Sequence, residues 1–117
     1  MNLAGKLQLK SGEGLTVVGD PGQIPQAVRD LEGDGARALI AFAVHRVDLA
    51  NNPIIPAARE DRLAWIAYPK AGQLSTDLNR EIVRDLVMKQ GVEPVRQIAI
   101  DEVWSALRIR PTRTTIQ

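Results

Sequence analysis

The sequence predicts an α/β domain in which three parallel strands are followed by an antiparallel C-terminal hairpin at the sheet edge. Three observations carry this. Residues 36–44 are apolar apart from Arg37, as expected of a strand buried on both faces of a parallel sheet. Residues 63–68, Leu-Ala-Trp-Ile-Ala-Tyr, form a second such run, closed by Pro69-Lys70. Amphipathic helical stretches alternate with these runs, which is the rhythm of βαβ units.

Taken in order, Leu3, Leu7 and Leu9 are interrupted by Lys6, a pattern that fits either one helical turn or an extended lead-in. Ser11-Gly12-Glu13-Gly14 is a turn by composition. Residues 15–18 read as a short buried strand, stopped by Gly19-Asp20-Pro21-Gly22. Ile24, Ala27, Val28 and Leu31 recur at helical spacing, with Pro25 at a first helical position, where a missing N–H costs nothing. Glu32-Gly33-Asp34-Gly35 ends that helix ahead of the strand at 36–44. Asn51-Asn52-Pro53 breaks any helix begun at Val47, so 45–62 reads as loop followed by a short helix from Pro56.

After the strand at 63–68 and a loop at 71–75 comes the most regular stretch, a helix over 76–90. Leu78, Ile82, Val83, Leu86 and Val87 make one apolar stripe. Ser75 or Thr76 caps it, Asp77 suits the positive end of its dipole, and Gly91 ends it in the left-handed conformation. Residues 95–100 and 103–109 then form the hairpin. In its second strand Val103, Leu107 and Ile109 share one face, and Trp104, Arg108 and Arg110 the other. The domain spans 1–110, and the tail 111–117 has little to bury and is expected to fray.

Composition narrows the function. The 117 residues suffice for one core without staples. Cysteine is absent and His45 is the single histidine, so neither thiolate chemistry nor a two-histidine metal site is available within one chain. A net charge of +1 and 3 % aromatics give no field or stacking platform for nucleic acid. No apolar run has the length of a membrane helix or a signal peptide. The expected setting is cytoplasmic, with no nucleic-acid or membrane partner.

The stretch from Leu63 to Arg110 resembles a bacterial family of small proteins catalogued as a domain of unknown function. The residues that carry this are Trp65-Ile66-Ala67-Tyr68-Pro69-Lys70 and Asp101-Glu102-Val103-Trp104-Ser105-Ala106-Leu107-Arg108. The lead-in from Leu3 to Val18 looks like that family's N-terminal end. The resemblance implies a compact α/β domain and brings no assigned activity. More distantly, the order of elements is similar to the C-terminal half of a methyltransferase-type Rossmann fold, and so implies a small Rossmann-like domain. Those enzymes carry a glycine-rich loop after the first strand. Here that loop is Gly19-Asp20-Pro21-Gly22, with a proline and only two glycines, so adenosylmethionine is not expected to bind and no cofactor is assigned.

Ligands of open α/β sheets sit outside the carboxyl ends of the strands. Those ends bring Asp20, His45, Arg46 and Lys70 to one rim. The helix N-termini near Pro25 and Thr76 open on it, which suits a small anionic ligand. Lys70 and the Thr76 N-terminus are expected to share one anion site. In the enzyme alternative His45 is a general base oriented by Asp20, although no nucleophile or P-loop motif accompanies it. A third possibility is a partner-binding face made of Trp104, Arg108 and Arg110, with arginine stacked on the indole. Right-handed crossovers put the helices of successive parallel strands on one face. The uncovered second face and the hairpin edge then favour a homodimer.

Overall fold

Each apolar run of the sequence becomes a strand in the computed structural model, which describes residues 2–19, 22–35 and 37–112. The order is α1 (Leu3–Lys6), β1 (Thr16–Val18), α2 (Gln26–Arg29), β2 (Ala38–Phe42), a 3-10 turn (Arg46–Leu49), α3 (Ile54–Arg59), β3 (Leu63–Pro69), α4 (Arg80–Met88), β4 (Val92–Ala99) and β5 (Trp104–Pro111). The five strands form one open sheet in the order β1-β2-β3-β5-β4. β1, β2 and β3 run parallel, and β5 is antiparallel to both β3 and β4. The hairpin therefore folds its second strand inward against β3 and leaves β4 as the edge. Pro94 is tolerated there because an edge strand has ladder positions with no bond to lose, and the register shifts between Pro94 and Arg96.

The central strands are buried on both faces, as their unbroken apolar runs require. One face carries Leu39, Ala41, Ala64, Ile66, Leu107 and Ile109, covered by α3 and α4 through Ile54, Ile55, Val83 and Val87. The other carries Ile40, Phe42, Trp65, Trp104 and Ala106. Its cover is the N-terminal segment through Leu3, Leu7 and Leu9, together with α2 through Val28. The expectation of helices on one face is corrected here. The steps β1→β2 and β2→β3 go the same way, yet α2 and α3 lie on opposite faces, so the two crossovers have opposite hands. α2, on the face away from α3, is a single turn.

Trp65 anchors this second layer. It is fully buried, and its indole N–H donates to the Leu7 carbonyl at 3.1 Å, tying the N-terminal segment to the middle of the sheet. Below β1 the chain crosses itself closely. Leu15 exchanges backbone hydrogen bonds with Leu31 and Gly33, at 2.8 and 3.1 Å. A Cβ on Gly14 would lie 2.6 Å from the Gly33 Cα, so the crossing needs glycine there.

Some boundaries move. α3 begins at Ile54, two residues before Pro56, and the helix predicted over 76–90 begins only at Arg80. Leu3 to Lys6 is helical, capped by the Asn2 side chain. Pro111 belongs to β5 and the Thr112 N–H donates to the Gly91 carbonyl at 3.0 Å, so the sheet extends into the predicted tail. Residues 113–117 of that tail lie outside the described residues. Among the described residues no helix is long and apolar enough to cross a membrane.

Candidate functional site

The carboxyl ends of β2 and β3 meet in one cluster because two loops are bound to each other. After β2 the chain turns at Val44 and His45. The Asp48 carboxylate closes this turn by accepting the N–H groups of Val44 at 2.9 Å and His45 at 3.0 Å. The loop after β3 folds back over it. Its Thr76 hydroxyl donates to the Val44 carbonyl and accepts the Leu78 N–H at 3.0 Å. The Asp77 carboxylate accepts the Arg46 N–H at 2.9 Å. It also lies 3.5 Å from His45 Nδ1 and 3.8 Å from Arg46 Nε. Gly72 is left-handed with φ 83°, and Leu74 and Ser75 follow with φ 53° and 54°. Two consecutive non-glycine residues in that region cost on the order of 1 kcal/mol each. The bonds of Thr76 and Asp77 offset this. Gln23, Val44, His45, Asp48 and Leu74 line a shallow depression of about 280 Å³ beside the cluster.

His45, Arg46 and Thr76 are thus brought together. Lys70 is not: its N–H donates to the Val103 carbonyl at 2.7 Å, and its ammonium enters no hydrogen bond or ion pair among the described residues. Asp20 lies outside the described residues. The helix start at Thr76, on which the expected anion site with Lys70 rested, is corrected. α4 starts four residues later, and its Asn79 cap accepts the Ile82 N–H at 2.8 Å. Thr76 has its hydroxyl committed to a neighbouring loop, and α2 near Pro25 is one turn long. Sequence reasoning missed Asp48 and Asp77 as rim residues. Asp48 follows His45 by three positions, the spacing of a capping box. Asp77 had no such signal, because its role depends on a loop folding back.

The predicted face of Trp104, Arg108 and Arg110 is divided. Trp104 is buried and meets Phe42 edge-on, with ring centroids 4.9 Å apart, so it is a core residue and offers no surface for a partner. Arg110 forms a two-pronged pair with Asp61, at 2.9 and 3.0 Å. That guanidinium holds the Asp61 carboxyl below the usual range. Arg108 donates from Nη1 to the Gln8 side chain at 2.7 Å. At the lower end of the sheet Arg37 clamps Glu13, at 2.7 and 2.6 Å, and this bond lowers the Glu13 carboxyl below its ordinary value. Among the described residues no group of three or more His, Cys, Asp or Glu side chains is placed to hold a metal ion.

No protein-family model matches the chain, and no curated protein matches it.

Proposed function

We propose that the chain is a non-catalytic α/β binding module that takes a small anionic molecule in the depression at the strand-end rim. The observation that carries this reading is the mutual latch of the two rim loops, Thr76 to Val44 and Asp77 to Arg46. It holds His45 and Arg46 at the rim before any ligand arrives, and preorganisation of this kind lowers the cost of binding. The Asp48 charge is absorbed by two backbone N–H groups, so it opposes an anion less than its position suggests. The strand order, with one antiparallel strand next to the far edge, supports the likeness to the C-terminal half of a methyltransferase-type Rossmann fold. Binding outside the strand ends is the habit of such sheets.

The enzyme alternative changes its carboxylate. Among the described residues Asp77 is the carboxylate paired with the imidazole, but 3.5 Å exceeds a formed hydrogen bond and both side chains are half-exposed. The non-catalytic reading is therefore preferred. Titration with a panel of small carboxylates and phosphates, followed by the His45 ring and Gln23 amide resonances, tests it. Saturable shifts confined to the rim and lost in His45→Ala are expected. If no compound shifts these resonances, the reading fails.

A further inference from the structure

A second feature, independent of the rim, lies on the sheet face over β4 and β5. Arg96 and Arg108 are directly opposite each other across the two strands. Cross-strand neighbours have Cβ atoms roughly 4.5–5.5 Å apart, and like charges there repel. The other arginines nearby are matched: Arg37 with Glu13 and Arg110 with Asp61. Arg96 is exposed and enters no hydrogen bond or ion pair among the described residues. Arg108 has a neutral partner, Gln8, and its buried Nε has none. A partly buried cation without a counter-charge is costly, and a second cation facing it adds to the cost. Burial, followed by the field of Arg110, pushes the Arg108 guanidinium below its ordinary value, with Arg37 and Arg96 acting in the same direction and Asp61 opposing.

We propose that Arg96 and Arg108 form a binding site for a dianionic phosphate group, with Gln8 fixing the Arg108 guanidinium. Two unmatched positive charges fit a group that carries between about −1.5 and −2 near neutral pH. Guanidinium forks on adjacent strands suit the tetrahedral oxygens of phosphate. The Nε of Arg108 is covered, so the anion meets the outer edge of the fork through Nη2. The same chemistry is presented by free phosphate and by a small phosphate monoester. Asp61, Glu93, Val95, Arg110 and Pro111 line a depression of about 270 Å³ beside this site, where Asp61 is already held by Arg110.

The test is titration of the intact chain with inorganic phosphate and, separately, with phenyl phosphate, at constant ionic strength set with chloride. Arginine side-chain and backbone resonances are followed. Saturable shifts centred on Arg96 and Arg108 are expected. Arg96→Gln and Arg108→Gln should each weaken binding about tenfold or more, the usual consequence of losing a charge-assisted bond. Arg108→Lys, which keeps the charge, should weaken it less, and exposed Arg96 is a variant that leaves the fold intact. Tighter binding of phenyl phosphate assigns a phosphorylated molecule as ligand, and equal or tighter binding of inorganic phosphate assigns the free ion. The proposal is overturned by non-saturating shifts, by binding unchanged in both glutamine variants, or by duplex DNA occupying these arginines while phenyl phosphate does not. Rim resonances of His45 and Gln23 report the other site separately.

Discussion

Thr76 and Val44 lie 32 positions apart and are joined by a hydrogen bond from the threonine hydroxyl to the valine carbonyl. This bond fastens the loop after β3 onto the end of β2. Thr76→Val should cost about 1–3 kcal/mol, because a partly buried carbonyl loses its donor while shape is kept. Thr76→Ser should recover most of that. Urea unfolding measures the cost, and faster amide exchange at His45 and Arg46 should accompany it.

Trp65→Phe should destabilise through two effects, the loss of the bond to the Leu7 carbonyl and the space left by the indole, together about 2–4 kcal/mol. The first effect has a local signature. Amides of residues 3–9 should lose protection from exchange before the sheet does. Protection of that segment equal to wild type would show that the indole bond does not hold it.

Gly14→Ala brings a methyl group against the Gly33 backbone, which no rotamer change relieves. The expected loss is about 2–3 kcal/mol. The thermal midpoint of the purified variant reads it directly, and an unchanged midpoint would mean that the crossing opens freely.

How much of this was legible beforehand differs by element. The strands at 38–42 and 63–69 are plain in the sequence because burial on both faces leaves no polar residue to confuse the pattern. Gly91 ends α4 region with φ 89°, as its type implies. The start of α4 was misread because Thr76, Asp77 and Leu78 imitate a cap followed by a first turn, while the Thr76 hydroxyl in fact bonds both to Val44 across the fold and to its own Leu78 N–H. Pro94 concealed the first residues of β4, since a proline looks like a strand boundary until the strand is known to be an edge. The side on which α2 packs was not legible, because a one-turn helix has too few residues to fix a crossover's hand. At the rim, His45 and Arg46 were legible as strand-end residues and Thr76 only as the cap of a helix that in fact starts at Arg80, whereas Asp77 was visible only in its long-range contact.

Acid should weaken the fold partly through Glu13. Its carboxyl titrates below the ordinary value of 4.5 because Arg37 binds the charged form. A depressed carboxyl stabilises above its unfolded value, and that contribution disappears as pH falls through the folded value. The stability advantage of the native chain over Glu13→Gln should therefore be full above about pH 4.5 and shrink at lower pH. Urea midpoints across that range test the sign. An advantage that grows on acidification would contradict the assignment.

The covered second face removes one reason for self-association, leaving the β4 edge. That edge carries exposed Arg96 and Gln97 and is bulged between Pro94 and Arg96, two devices that discourage strand pairing. Light scattering at micromolar concentration should give a mass near 12.8 kDa. About twice that mass would show that the chain self-associates despite these devices.

The position of β5 between β3 and β4 has a consequence for synthesis on the ribosome. β4 emerges before β5 and has no neighbour in the sheet until β5 arrives, because its ladder is made with β5 alone. Leu107 and Ile109, which complete the layer under α3 and α4, also arrive with that strand. The nascent chain can assemble β1, β2 and β3 as it emerges, but the layer closes only after translation has passed Pro111. Once β3 has emerged, it keeps an open flank until β5 is also free, the kind of strand edge on which chaperones and aggregation compete.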